Sequence, residues 1–89
     1  MAVTSKQVSV GTTATLIFTA DTDGNIVFMT MENAGNFYLG GPGVTTSTGM
    51  RMEHANGMVP MEIKLGAGEA LYGVTASGTE VVTVLITNW

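Results

Sequence analysis

The run Ala70-Leu71-Tyr72-Gly73-Val74-Thr75-Ala76-Ser77-Gly78-Thr79-Glu80-Val81-Val82-Thr83-Val84-Leu85-Ile86-Thr87 decides the fold class. Two segments rich in β-branched and aromatic residues flank a Ser77-Gly78 turn, which is strand composition punctuated by turn chemistry. In the second segment Val82, Val84 and Ile86 alternate with Val81, Thr83 and Leu85, so both faces of the strand are apolar. A strand of that kind is central in a packed sandwich or is covered in part by a neighbouring subunit. The segment Ile26–Met31 has the same two-sided character.

Working outward, the same alternation of strand runs and turn signals covers the chain. Turn chemistry recurs at Gly11, Asp21–Asn25, Asn33–Asn36, Gly40–Gly43, Gly49, Asn56-Gly57, Gly66–Gly68 and Ser77-Gly78. Between these signals the composition predicts strands over Gln7–Val10, Ala14–Thr19, Asn25–Met31, Phe37–Leu39, Met50–Met52, Val59–Leu65, Ala70–Thr75 and Val81–Thr87. Met61, Ile63 and Leu65 fall on one face of their strand, with Glu62 and Lys64 on the other. No window of a dozen residues carries a helical apolar period free of glycine or β-branched clusters. The most helical stretch, Met50 to Asn56, allows one short turn. The reading is all-β: a single antiparallel β-sandwich or barrel of seven or eight short strands over residues 1–89, with residues 1–6 as an extended arm.

Composition narrows the function classes. In 89 residues there are seven acids and three bases, a net charge of −4, which argues against a phosphate-backbone partner. The absence of cysteine excludes disulfides, thiolate metal sites and cysteine nucleophiles. No signal peptide is read at the start, and the longest aliphatic or aromatic run, Ile26–Met29, is far short of the ~20 residues of a membrane span. No nucleic acid, membrane or cofactor is therefore expected. A domain of this size buries only about 60–68% of its unfolded surface. Charged residues are 11%, against ~25% in an ordinary soluble domain. Both facts lead to an expectation of self-association.

Candidate chemistry is sparse. Asp21, Asp23 and Glu32 have a calcium-loop spacing, but Ile26 stands where such a loop needs glycine, so a hairpin loop with acidic acceptors is expected. His54 is the only histidine, and no nucleophile elbow accompanies it. Glu53, Glu62, Glu69 and Glu80 offer carboxylates without a cleft to hold a sugar. Gly40–Gly43 lacks the basic end of a phosphate loop. No enzymatic activity is expected. Tyr38, Tyr72 and Trp89 could stack on a sugar but lie far apart in the sequence. The methionines Met29, Met31, Met50, Met52, Met58 and Met61 serve either as core filling or as subunit contacts.

Three motifs in order carry a family resemblance: Asn33-Ala34-Gly35-Asn36-Phe37-Tyr38-Leu39-Gly40-Gly41, then Gly43-Val44-Thr45-Thr46-Ser47-Thr48-Gly49, then Gly66 through Thr79 ahead of the valine-rich last strand. Together they span roughly residues 13–87, and the chain resembles small all-β virion proteins of tailed bacteriophages, the head-decoration and minor capsid proteins. It departs from that pattern at Glu53–Gly57, where such proteins tend to carry a proline-glycine-glutamate turn. The resemblance reads Leu71–Thr79 as a hairpin. It implies no catalytic residues, a homotrimer made in the host cytoplasm, and a major capsid protein as partner at the outer head surface. The expected interface is Met50, Arg51 and Met52, the last strand with Val81, Thr83 and Leu85, and Trp89. A receptor- or glycan-binding fibre module and a head–tail connector component are the rival readings.

Overall fold

The computed structural model describes residues 3–31, 36–53 and 61–88. Eight strands follow one another: β1 (Thr4–Val10), β2 (Thr15–Thr19), β3 (Asn25–Met31), β4 (Asn36–Gly40), β5 (Met50–Glu53), β6 (Met61–Leu65), β7 (Ala70–Thr75) and β8 (Glu80–Asn88). They form two four-stranded antiparallel sheets, sheet I with order β1-β8-β3-β6 and sheet II with order β2-β7-β4-β5. The chain is an all-β sandwich, not a closed barrel.

The pairings are nested. Bending the chain in half about the β4–β5 hairpin sets β3 beside β6, β2 beside β7 and β1 beside β8, and the doubled ribbon then wraps so that β8 also pairs with β3 and β7 with β4. This is the jelly-roll order, a double-sheet solution that leaves few sheet edges.

Inner faces are set by alternation. Val27, Met29 and Met31 of β3 and Val82, Val84 and Ile86 of β8 are buried, and they meet Ile17, Phe37, Leu39 and Leu71 from sheet II. The two strands with apolar residues on both faces, β3 and β8, occupy the centre of sheet I, where each has a neighbour on either side. Met29 and Met31 are core residues, and Met52 packs against the core from the edge strand β5. Burial of each such side chain contributes roughly 1.5–3 kcal/mol.

Three expectations are corrected. Residues Thr4–Lys6 are no arm: they belong to β1 and lie opposite Ile86, Leu85 and Val84. The Ser77-Gly78 turn closes no hairpin, because β7 and β8 lie in different sheets. The Asp21–Gly24 loop also crosses between sheets, from β2 to β3. Its acidic residue does accept backbone hydrogen bonds as expected: Asp21 Oδ1 receives the Asp23 N–H at 2.9 Å. The loop is pinned by Asn25, which is fully buried. Asn25 Oδ1 accepts the Asp21 N–H at 2.8 Å, and its Nδ2 donates to the Thr87 carbonyl at 3.3 Å. A buried amide satisfied on both its ends fixes the crossover without an orphaned polar group.

Candidate functional site

The register assigns every outward side chain to a row. On sheet I one row runs Ser5, Leu85, Phe28, Glu62; the next runs Gln7, Thr83, Thr30; a third runs Thr87, Ile26, Lys64. Val81 lies opposite Ser9 on the same face. Of the expected interface residues, Val81, Thr83 and Leu85 are thus together on one surface, with Leu85 45% exposed. Between the rows is a shallow, open depression of ≈ 370 Å³ lined by Ser5, Gln7, Phe28, Thr30, Thr83 and Leu85. Thr30 and Thr83 share a hydrogen bond of 2.6 Å between their hydroxyls, which ties the two central strands together. Among the described residues the charged side chains of these rows are Glu62 and Lys64, at the β6 margin, and Lys6 of β1 also borders the depression.

Sheet II treats its outer face differently. Its rows are Leu16, Tyr72, Gly40 and then Val74, Tyr38, Arg51. The nine-residue link between β4 and β5, residues 41–49, folds back over this surface and seats Val44 on it. A Cβ at Gly40 would stand 2.6 Å from Val44 Cγ2, and one at Gly49 would stand 2.7 Å from Tyr38 Cβ and 2.8 Å from Val44 Cγ2. Both positions need hydrogen in place of a side chain so that the link can lie flat. Val44 under this close fit is 7% exposed, and Val74, also on the outside of the sheet, is 4% exposed. The link holds its own shape: Thr45 N–H donates to Thr48 Oγ1 at 3.0 Å, and Gly49 N–H to the Thr45 carbonyl at 2.9 Å.

The remaining expected residues divide. Arg51 is exposed on the outer face of sheet II, opposite Tyr38. Met50 is half exposed at the end of β5. Met50 and Met52 lie across from the inward residues Leu39 and Phe37, on the face opposite to Arg51, so Met50-Arg51-Met52 is not one surface. Met52 packs against the core, so its substitution would injure the domain itself. Trp89 and His54 lie outside the described residues, as does Glu32. Tyr38 and Tyr72, remote in sequence, come onto the same face of neighbouring strands, diagonally across Val74 and Gly40.

The carboxylates do not assemble. Glu62 is on the outer face of sheet I, Glu80 is buried at the start of β8 opposite Val10, and Glu69 uses Oε1 to accept the Gly66 N–H in its own turn. Among the described residues no group of three or more His, Cys, Asp or Glu side chains is placed to hold a metal ion. What the exposed surface of sheet I can do chemically is bind by shape and apolar contact, with hydroxyl and amide groups at its rim. No protein-family model, curated protein or solved structure matches the chain.

Sequence reasoning missed Phe28, Thr30, Ser5 and Gln7 as parts of this surface. The signal for Phe28 and Thr30 was present, since they are the outward residues of the two-sided segment Ile26–Met31. Ser5 and Gln7 carried no signal beyond their position beside a strand.

Proposed function

We propose that the chain is a structural virion protein that decorates the outer head of a tailed bacteriophage, binding the major capsid lattice as a homotrimer and stabilising it. The observation that carries this reading is the outer face of sheet I, where Leu85 and Phe28 lie beside the Thr30–Thr83 hydroxyl pair and Val81, with the charged side chains of the rows at the β6 margin. The order of motifs along the chain supports it, and so does the jelly-roll architecture, which serves capsid and lectin domains alike. Fold alone is an analogy; the surface is the physical reason.

The mechanism is adhesive. Removing the apolar face from water yields about 25 cal/mol per Å², less the cost of association. Each contact is modest, but a trimer engages three capsid sites at once, and the linked copies raise effective concentration so that the lattice is held as a unit. A net negative surface suits a protein that faces away from packaged DNA.

Immunogold microscopy of intact virions with antibody to this chain tests the reading. Dense gold over the head is expected; gold confined to tail or fibre tips overturns it. The second reading, a glycan-binding fibre module, is favoured by one observation, the shared face of Tyr38 and Tyr72 beside Arg51. It requires that Tyr72→Ala abolish adsorption while leaving particle robustness unchanged.

A further inference from the structure

We infer that β1 is a strand-pairing edge for a second copy of this chain, joined antiparallel about a two-fold axis through Gln7. The sandwich has four edge strands, β1 and β6 in sheet I and β2 and β5 in sheet II. An open edge strand presents a row of unpaired N–H and C=O groups and is normally blunted by shortness, bulges, proline or charge. Edge β2 has five residues and a bulge between Leu16 and Phe18. Edge β5 has four residues and carries Arg51. Edge β6 has five and exposes both Glu62 and Lys64. Edge β1 is neither short nor interrupted: it runs seven residues, Thr4–Val10, in unbroken register with β8, without glycine, proline or bulge, and Lys6 is its one charge. Thr4, Ser5, Lys6, Gln7 and Ser9 are all exposed, and no described element lies beyond β1 in sheet I.

Its single charge does not guard it. The Lys6 side chain leans across the gap between the sheets, with Nζ 5.7 Å from the centre of the Phe18 ring. Such a contact stabilises the ammonium over the ring face.

Self-pairing also fits the strand's own pattern. Pairing about a two-fold axis perpendicular to the sheet joins residues of the same face. Full overlap of Thr4–Val10 then centres on Gln7. In that register Lys6 meets Val8 of the second copy, never its own equivalent, so no like charges face each other. Ser5 meets Ser9 and Gln7 meets Gln7, pairs of small or amide side chains that hydrogen-bond across strands. Sheet I becomes a continuous eight-stranded sheet, and each outer row runs from Leu85 through Ser5 to Ser9 and Val81 of the second copy. The contact is isologous, uses backbone groups, and does not depend on the virion reading.

The chain has no cysteine, so a single introduced thiol reports the contact cleanly. Across an antiparallel pair the Cα atoms are about 4.5–5.5 Å apart, within the range a disulfide spans. Under mild oxidation the purified Gln7→Cys protein is expected to crosslink to a covalent dimer at least tenfold faster than Thr46→Cys, a control on the exposed 41–49 link. Ser5→Cys alone should react slowly, whereas Ser5→Cys mixed with Ser9→Cys should crosslink. In sedimentation, Gln7→Lys and Gln7→Glu should each raise the dimer dissociation constant about fivefold, and their equimolar mixture should restore the wild-type value. Circular dichroism confirms that each variant is folded. Crosslinking of Gln7→Cys no faster than the Thr46→Cys control overturns the proposal, and crosslinking of Ser5→Cys alone as fast as Gln7→Cys overturns the register.

Discussion

The two outer faces of this sandwich are built from similar materials and end in different states. Each has four strands and a central apolar row. On sheet II the chain's own 41–49 link covers part of the face, with Val44 seated over two glycines and Val74 buried, while Leu16 at the β2 edge stays 46% exposed. On sheet I nothing among the described residues covers Leu85 and Phe28. The difference teaches that outward apolar residues on a small β domain need not mean an interface: a loop with the right glycines internalises part of one face and leaves the other exposed.

The sharpest way to break this contrast is to open sheet II. Val44→Asp places a carboxylate in a socket lined by Tyr38, Gly40 and Gly49, losing apolar burial and adding desolvation, and should cost about 3 kcal/mol in urea unfolding. If stability is unchanged, the link is not a cover. Next in size is the contrast within β5. Met52→Asp should cost about 2 kcal/mol because Met52 packs on the core, whereas Met50→Asp should leave the thermal midpoint within a degree or two. A smaller perturbation of the cover is Gly49→Ala. Its methyl group would meet the Tyr38 Cβ, Val44 and the Thr45 carbonyl, so a loss of about 1–2 kcal/mol is expected, read by the same unfolding curve. The smallest effect on folding belongs to the open face. Leu85→Ser should shift stability by no more than about 0.5 kcal/mol, and, under the decoration role proposed above, remove most binding to capsids stripped of this protein, as measured by co-sedimentation. Equal losses of stability for Leu85→Ser and Val44→Asp would erase the distinction between the faces.

The strands were largely legible, because alternation and turn chemistry are local. Asn25–Met31 and Ala70–Thr75 match their expected bounds, and the two-sided runs are the central strands of sheet I. Pairing was not legible. Ser77-Gly78 has the chemistry of a hairpin turn, but the valines of the next strand belong to the other sheet, and only the whole nest of pairings decides that. The candidate surface was half visible: Val81, Thr83 and Leu85 announce themselves by alternation, while Ser5 and Gln7 acquire meaning only from lying beside β8. The cover over sheet II was invisible for a different reason. Gly40 and Gly49 read as turn residues, whereas their function is to leave room for Val44, and a missing side chain says nothing about what will fill its place.

The nesting of the ribbon has a kinetic consequence. Among the described pairings only β4 with β5 joins neighbours in the chain; each pairing outward from that hairpin closes a longer loop, and β1 with β8 closes nearly the whole length. Loop-closure entropy must be met before those distant contacts form, so folding should take milliseconds to seconds, as for other β domains of high contact order. On a ribosome β1 emerges first and waits for β8, the last strand of the eight, exposed throughout. A cell making many copies would then hold many half-made chains with β1 unpaired on both sides, and the speed of the final closure would set how much of the product escapes aggregation.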